Sequence, residues 1–316
     1  MKILFLSRFQ NSVERGAENF VTELSQRLSK NNQIEIFSGH KSDSLMDIFK
    51  SNADIVIPIN GRSQSLKVSL GRLIKKYKIL ISGHSGMGRD DIWNILVIKP
   101  DVFIALTGVM TKWAKKFAWG TKVLTIPDGV DLDKFTASGV TMNLDLERPI
   151  ILSVGALVWY KHHEKAIEAV SRLERGSLLI AGDGNEKLNL EKLGKSKLGT
   201  RFKIMSFPYM QMPQVYRAAD LFTLPSWDRE AFGIVYLEAM ASGLGVVAPN
   251  DSARSEIIGE AGILIDVSNS QKYAQAIEQA LTVGWKAKAL SQAKKFSWDK
   301  IAKMYEEVML EMLKND

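Results

Sequence analysis

Two glutamates, Glu230 and Glu238, are separated by seven residues in a stretch that turns from polar to apolar before Gly243. The pattern predicts a helix from near Phe232 to Gly243, because glycine readily adopts the left-handed conformation that ends a helix. Glu230 then precedes a helix N-terminus, where unpaired amides and the helix dipole attract phosphate. One carboxylate could reach a sugar and the other the ribose hydroxyls of a nucleotide. The alternative is a helix-capping acid and a surface acid.

Two other positions could contact phosphate, and both follow an apolar run that predicts a strand. Lys161, after Gly155 in the second half of the chain, is placed to open a helix and could set its ammonium on a diphosphate. A solvated surface lysine is the alternative. Gly16 precedes the first predicted helix and would let backbone amides approach a phosphate, or would serve only the turn.

The composition is that of a soluble globular protein. The chain has 316 residues, of which 46% are apolar and 24% charged, so a disordered chain, a collagen and a coiled coil are excluded. Cysteine is absent, which excludes disulfides, thiolate metal sites and a cysteine nucleophile. The four histidines, His40, His84, His162 and His163, are too scattered to indicate a zinc site.

The net charge of +7 leaves room for an anionic partner, such as a nucleotide, a nucleic acid, an acidic glycan or an anionic membrane. Residues 61–122 hold 12 Lys and Arg against 3 Asp, so this segment carries +9 and the rest is nearly balanced. The chain contains no run of 18 apolar residues, so no membrane-spanning helix is predicted. The apolar start of the chain is too short for a signal peptide, so we expect a cytoplasmic protein.

Short apolar runs alternate with stretches of helical periodicity, which predicts βαβ units and parallel, doubly wound sheets. The twelve predicted strands are 2–7, 33–38, 53–59, 78–82, 101–107, 122–126, 150–154, 177–181, 201–206, 220–225, 245–248 and 262–266. The polar segment 135–148 is predicted to link two Rossmann-like domains, residues 1–140 and 149–297. A final helix, about 298–316, is expected to pack back on the first domain.

Four motifs in order resemble glycosyltransferase family 4. The stretch from Glu230 to Glu238 within LPSWDREAFGIVYLEAMASG is similar to that family's paired-glutamate signature. Residues 126–135, IPDGVDLDKF, resemble its IPNGVD motif; 179–184, LIAGDG, resemble its G-x-G loop; and 216–222, YRAADLF, resemble the approach to the glutamates. The resemblance implies the α/β GT-B fold, with two Rossmann-like domains facing a central cleft, and sugar transfer with retention from a nucleoside diphosphate sugar.

The resemblance also implies roles for individual residues. Glu230 would hold hydroxyls of the donor sugar and Glu238 the ribose. Lys161 would neutralise the diphosphate, and His84, after the fourth strand, stands where the family often has an active-site histidine; a loop or core histidine is the alternative. The remaining donor-binding positions would be Gly16, Gly155 and the amides of Phe232, Gly233 and Ile234.

The chain departs from the family pattern at phosphate-binding positions. Ala156 stands where the family usually has an arginine, so a positive charge is missing unless Lys161, Arg229 or a residue of the first domain replaces it. The family's first Gly-Gly is Arg15-Gly16 here. The resemblance implies a metal-independent reaction with a UDP-, GDP- or ADP-sugar, no cofactor and no nucleic acid partner.

Other functions remain open at this stage. The Asp131-Leu132-Asp133 sequence could be mistaken for a metal-binding Asp-x-Asp, but we expect it to cap a turn before Phe135. A non-transferring GT-B relative, such as a nucleotide-sugar epimerase, and a two-lobed sugar-binding protein are the alternatives. A Rossmann dehydrogenase is a less favoured alternative, because no G-x-G-x-x-G follows the first strand. The acceptor is a glycan, a lipid or a small molecule.

The basic segment offers two interpretations. Apolar residues recur at helical spacing among cations at Leu66, Lys67, Leu70, Arg72, Leu73, Ile74, Lys75, Lys76 and Tyr77. A second basic and aromatic cluster comprises Lys112, Trp113, Lys115, Lys116, Phe117 and Trp119. Such a helix can lie on an anionic membrane, which would make the protein peripheral. In the other interpretation, both apolar faces simply pack on the sheet.

Overall fold

The twelve apolar runs form twelve β-strands, and each strand pairs in parallel with its neighbours in one of two six-stranded sheets. The computed structural model describes residues 1–10, 12, 16–84, 86–226 and 230–314. The chain divides into a first unit, Met1–Gly129 with Trp298–Asp316, and a second unit, Val130–Ser297. Each unit is a Rossmann-like α/β layer structure.

The first unit has the strand order β2-β1-β3-β4-β5-β6. Its strands are β1 Lys2–Leu6, β2 Gln33–Phe37, β3 Ile55–Pro58, β4 Lys78–Ser82, β5 Val102–Ala105 and β6 Lys122–Thr125. The central strands are buried on both faces and the edge strands β2 and β6 are partly exposed. Burial on both faces explains the continuous rather than alternating apolar runs.

Helices cover the two faces of this first sheet. They are α1 Gly16–Leu28, α2 Leu45–Lys50, α3 Gly61–Arg72, α4 Arg89–Trp93, α5 Gly108–Ala114 and α13 Trp298–Lys314. A π-helical turn, Asn94–Ile98, continues α4. The final helix α13 buries Ile301, Tyr305 and Met309 against α1 and the strands. Met304 on the same helix is partly exposed.

Close packing of α13 depends on a glycine and a hydroxyl pair. A Cβ at Gly129 would lie 2.6 Å from the indole of Trp298, so the ring needs a residue without a side chain there. The hydroxyls of Ser82 and Tyr305 lie 3.0 Å apart in the interior, where burial raises the pKa of the phenol. The last helix of the chain is thus part of the core of the first unit.

The second unit has the strand order β12-β11-β10-β7-β8-β9. Its strands are β7 Ile150–Val154, β8 Ser177–Ala181, β9 Phe202–Met205, β10 Leu221–Thr223, β11 Val246–Pro249 and β12 Gly262–Ile265. Its helices are α6 His163–Val170, α7 Lys187–Leu198, α8 Met212–Ala218, α9 Ile234–Ala241, α10 Ser252–Ile258, α11 Ser270–Leu281 and α12 Lys286–Ala293. Loops at the carboxyl ends of β7, β8 and β10 carry most of the residues that the motifs indicate.

The predicted linker 135–148 is wrong, because this segment belongs to the second unit. Val130 donates its amide to the carbonyl of Phe296, which brings the two ends of the unit together. Phe135 is buried against the ring of Tyr216. The guanidinium of Arg217 donates to the carbonyls of residues 136 and 140. Hydrogen bonds to backbone carbonyls hold this polar segment in place. Such bonds do not require a periodic pattern of apolar residues.

Candidate active site

The loop after β7 is built by close contact with the loop after β8. A Cβ at Gly182 would lie 1.9 Å from the carbonyl oxygen of Gly155, and one at Gly184 would lie 2.4 Å from that of Leu157. The amide of Leu157 donates to the carbonyl of Asp183. The glycines of the predicted G-x-G loop therefore let two backbones touch, and this contact shapes the turn that precedes Lys161.

Lys161 and Glu230 meet at the carboxyl ends of β7 and β10. The Lys161 Nζ lies 2.5 Å from Glu230 Oε2, and the side chains are only 17% and 10% exposed. Lys161 ends a short 3₁₀ turn, Trp159–Lys161, whereas α6 begins at His163, so the prediction that it opens the helix was wrong by two residues. Two residues 69 positions apart in the sequence thus form one charge-assisted contact.

The N-terminus of α9 lies beside this pair. The helix begins at Ile234 rather than near Phe232, because Gly233 takes a left-handed conformation with φ +88°. A Cβ at Gly233 would lie 3.5 Å from Glu230 Cγ, which puts the cap and the carboxylate in contact range. Among the described residues, no acceptor is found for the amides of Phe232, Gly233 and Ile234. Such amides form an anion-binding site.

Two buried side chains support the segment that leads to Glu230. Arg254, almost fully buried on α10, donates from Nη2 to the carbonyl of Ser226 at 2.8 Å. Tyr236 donates to the carbonyl of Leu224 at 2.8 Å, and burial raises its pKa. These two residues therefore hold the backbone that follows β10. The motifs give no signal for Arg254, whose role only appears in three dimensions.

His163 lies under the loop that carries Gly155. Its Nδ1 is 3.1 Å from the hydroxyl of Ser153. Burial, and then the neighbouring Lys161 ammonium, lower the pKa of His163 to about 3. The imidazole is therefore neutral at neutral pH, and Lys161 and Glu230 remain the charged pair at this loop.

Glu238 lies further along α9 and is largely buried. Its Oε2 accepts from the hydroxyl of Tyr216 at 2.7 Å and its Oε1 from that of Tyr209 at 3.3 Å. Burial, with the carboxylate beside it, raises the pKa of Tyr216 well above the ordinary value. The description of Glu238 as a surface acid is thus wrong. The motif containing Tyr216 marked this position, but nothing in the sequence indicated Tyr209.

The first unit holds the predicted active-site histidine. His84 follows β4, and its ring centroid lies 4.4 Å from that of Phe20. Its Nδ1 is 3.7 Å from Asp128 Oδ2. Burial lowers the pKa of His84 to about 4 and raises that of Asp128 to about 7. The imidazole is neutral at neutral pH, and its buried Nε2 has no hydrogen-bond partner among the described residues.

The remaining predictions have different outcomes. Gly16 is the first residue of α1 and is exposed, and its role toward a phosphate stays a prediction. Arg15 and Arg229, considered as replacements for the family's glycines and arginine, lie outside the described residues. Asp131 Oδ1 accepts from the amides of Asp133 and Lys134, which confirms the predicted turn cap.

Comparison with known proteins shows what the chain is similar to. Residues 141–296 match the profile of the family described as Glycosyl transferases group 1. The chain is 31% identical over 47% of its length to 46% of the lipopolysaccharide core biosynthesis glycosyltransferase LpsE of Rhizobium meliloti. It is 27% identical over 65% of its length to 57% of a phosphatidyl-myo-inositol mannosyltransferase of Mycolicibacterium smegmatis. The chain spans about half the length of the curated relatives it matches.

Solved structures support the fold over the whole chain. Anabaena HepE in complex with UDP superposes with a TM-score of 0.81 at 18% identity, covering 98% of this chain and all of that one. At this identity the likeness shows the GT-B fold. The family profile and the named relatives are those of glycosyltransferases.

Proposed function

We propose that this protein is a retaining glycosyltransferase of family 4 that transfers a hexosyl group from a nucleoside diphosphate sugar without a metal ion. The donor would be a UDP-, GDP- or ADP-sugar, and the acceptor a glycan, a lipid-linked glycan or a small molecule. The profile match over residues 141–296 and the relatives' names support the transferase class. UDP in the similar Anabaena structure supports a nucleotide donor.

The observation that carries the proposal is the contact between Lys161 and Glu230 beside the N-terminus of α9. A cation and unpaired amides converge on one point, which is the chemistry a diphosphate needs. Next to them stands a carboxylate, which accepts hydrogen bonds from sugar hydroxyls. A diphosphate that engages Lys161 would free the carboxylate of Glu230 for the sugar, so the two halves of the donor would bind cooperatively.

In the proposed reaction, the bond between the anomeric carbon and the diphosphate oxygen breaks, and a bond to the acceptor oxygen forms on the same face of the sugar. Lys161 and the amides at Phe232, Gly233 and Ile234 would stabilise the negative charge that develops on the leaving group. The acceptor's proton would pass to the departing phosphate. His84, which is neutral and whose Nε2 has no hydrogen-bond partner among the described residues, would contact a substrate hydroxyl.

Glu238 would bind the ribose through its carboxylate oxygens. An ionised carboxylate has about four acceptor positions, and the hydroxyls of Tyr209 and Tyr216 donate to one oxygen each. Glu238→Ala is therefore expected to weaken nucleoside diphosphate binding. Glu230→Ala is expected to lower kcat by about tenfold or more, equivalent to about 1.4 kcal/mol, with little change in nucleotide affinity.

Calorimetry with UDP-, GDP- and ADP-glucose and with the free nucleotides tests the donor site. Lys161→Ala should weaken nucleoside diphosphate binding about 10-fold to 150-fold, the value of a hydrogen bond to a charged group, about 1.5–3 kcal/mol. Its effect on the nucleoside alone should be small. Lys165→Ala is the matched control, because Lys165 lies on α6, is partly exposed and pairs with Glu168.

The outcomes separate the proposal from its alternatives. Equal losses for nucleoside and nucleoside diphosphate would place Lys161 away from the phosphates. Binding of a free sugar with no nucleotide binding would indicate a sugar-binding protein. Interconversion of the nucleotide sugar without transfer would indicate an epimerase-type relative. Full activity in Glu230→Ala would contradict the assignment of the reacting sugar to that carboxylate.

A further inference from the structure

Helix α3 of the first unit exposes its leucines instead of burying them. Leu66 is 40% exposed and Leu70 is 49% exposed, and just beyond the helix Leu73 and Ile74 reach 81% and 72%. The interpretation in which this apolar face packs on the sheet is therefore wrong for these four residues. Of the apolar residues at this spacing, only Tyr77 is buried.

The side of α3 that does face the protein is polar or small. Its buried residues are Gln64, Ser65, Val68 and Gly71. Gln64 accepts from the amides of residues 59 and 60 and donates to the carbonyl of residue 42, so its amide group is satisfied. A Cβ at Gly71 would lie 2.2 Å from the hydroxyl of Tyr77, so the helix sits close to its neighbours. Its orientation is thus fixed by specific contacts.

An adjoining element adds to the apolar surface. In the π-helical turn after α4, Leu96 and Val97 are 41% and 46% exposed. The side chains of Ser69 and Arg72 on α3 donate to the carbonyl of Ile98 at the end of this turn. We call the exposed residues of these two elements the α3 patch: Leu66, Leu70, Leu73, Ile74, Leu96 and Val97. Contiguous exposed apolar surface of this kind marks an interaction site.

The charged residues of the α3 segment itself are all basic. Residues 61–78 contain six Lys and Arg and no Asp or Glu. Arg62 and Arg72 pair with Asp90 and Asp101. Lys75, Lys76 and Lys99 are exposed, and no carboxylate in the described parts of the chain lies within ion-pair distance of them. Apolar side chains flanked by uncompensated cations are the pattern of a helix that lies in a membrane interface.

We propose that the α3 patch docks the protein on an anionic lipid surface. Leucine and isoleucine side chains would enter the boundary between headgroups and acyl chains, while Lys75, Lys76 and Lys99 would contact anionic headgroups. A second copy of this chain is a poorer occupant, because a symmetric contact would bring two equally basic faces together. No helix in the described ranges is long and apolar enough to cross a bilayer, so the contact is peripheral.

The docking surface also narrows the acceptor, a step that rests on the proposed function. A transferase held at an anionic membrane by its first unit would act on an acceptor anchored in that membrane, such as a lipid-linked glycan. Docking itself needs no transfer reaction. Failure of the donor-binding experiments would therefore leave the membrane proposal standing, and failure of vesicle binding would leave the transferase proposal standing with a water-soluble acceptor.

Sedimentation with sucrose-loaded vesicles tests the proposal. The full chain should bind phosphatidylcholine vesicles that contain phosphatidylglycerol at low ionic strength, and bind pure phosphatidylcholine much less. Lys75→Gln/Lys76→Gln should weaken binding about 25-fold, since each lysine contributes about fivefold, or about 1 kcal/mol. Leu73→Ser/Ile74→Ser should weaken it at least about tenfold, because two apolar side chains no longer leave water.

Matched controls have similar exposure elsewhere. Leu188→Ser/Val140→Ser changes residues that are 79% and 71% exposed in the second unit, and Lys286→Gln/Lys288→Gln removes two exposed lysines there. Both controls should bind vesicles like the parent. All four variants should keep the parent's melting temperature, because none of these side chains is buried.

Three results would overturn the proposal. The first is that the parent does not bind anionic vesicles at low ionic strength. The second is that the patch variants bind as tightly as their controls. In the third, light scattering would show a dimer that Leu73→Ser/Ile74→Ser converts to a monomer, which would make the α3 patch an interface between copies of this chain. Loss of vesicle binding in both patch variants, with the controls unchanged, would support it.

Discussion

At the scale of single residues, both units contain polar side chains whose chemical state depends on burial. Lys161 and Glu230 are largely buried yet form a charge pair. His84 and His163 are buried and neutral, since burial lowers the pKa of each. Asp91 and Asp128 are buried carboxyls whose pKa values burial raises to about 7. Lys161, Glu230 and His84 were predicted site residues from the sequence, whereas His163, Asp91 and Asp128 were not.

Asp91 gives a pH-dependent prediction for stability. Burial, and then the charge of Asp90, raise its pKa from 3.8 to about 7. Between these values the unfolded chain releases the proton while the folded chain keeps it, so this group's contribution to stability falls as pH rises. The slope is about 1.4 kcal/mol per pH unit. Asp91→Asn removes this titrating carboxyl. Relative to the parent, the free energy of unfolding of the variant should therefore rise by about 1–3 kcal/mol from pH 5 to pH 8.

Urea unfolding of parent and variant at both pH values measures this gain. The effect of the amide itself cancels, because it is present at each pH. Asp299→Asn is the control, because Asp299 is 75% exposed and its charge does not act on Asp91. A parallel pH dependence of the parent and Asp91→Asn would mean that the buried carboxyl is ionised throughout this range.

At the scale of elements, turns and helix ends position the candidate site. The β7 loop is pressed against the β8 loop at Gly182, and the left-handed Gly233 starts α9 beside Glu230. In the first unit, the glycine at residue 129 admits the indole of Trp298. These contacts leave no room for a side chain, so small substitutions should act strongly.

Gly182→Ala should disturb the donor site through the backbone. Its Cβ would overlap the carbonyl oxygen of Gly155, so one of the two loops must shift. We expect a loss of at least about 2 kcal/mol in stability, within the range for overpacking, and weaker binding of nucleoside diphosphates. Gly284→Ala is the control, because nothing lies within 4 Å of a Cβ there. Thermal melts and calorimetry on both variants decide the point; equal behaviour would contradict the close contact.

Trp298→Ala should destabilise the first unit. The side chain is buried between Gly129 and Phe20, so its removal leaves a cavity that costs about 3–5 kcal/mol. Met304→Ala, on the same helix but partly exposed, should change stability by no more than about 0.5 kcal/mol. Denaturant titrations compare the two. Similar losses for both would mean that the N-terminal turn of α13 contributes little to the core.

At the scale of the whole molecule, the two units differ in how the chain builds them. The second is one continuous segment, Val130–Ser297, and the backbone contact of Val130 with Phe296 joins its ends. The first takes its last helix from beyond that segment. Without α13, the apolar side chains of α1 at Phe20 and Leu24 would lose their cover.

A fragment of residues 130–297 should therefore fold alone and keep nucleotide binding that depends on Lys161. A fragment of residues 1–129 should not fold stably, and should bind a hydrophobic dye such as ANS or aggregate. Adding residues 298–314 through a flexible linker should restore cooperative unfolding, as followed by circular dichroism. Cooperative unfolding of 1–129 alone would contradict the structural role of α13.

The sequence determined the strands most completely. Every predicted strand is present within a few residues of its predicted bounds, because strands buried on both faces must be continuously apolar. It also determined which segments hold the candidate donor site, since motif spacing places Glu230 at a helix start. The Lys161–Glu230 contact joins residues far apart in the sequence, so only the tertiary structure decided it.

The tertiary structure also decided which apolar helix faces pack against another element. The pattern at α3 and that at α13 look alike in sequence, yet α13 is buried and α3 displays its leucines. Periodicity records that one face of a helix is apolar, but not which face meets the sheet. In α3 that choice is made by Gln64 and Gly71, whose hydrogen bonds and close packing need neighbours that only the fold brings together.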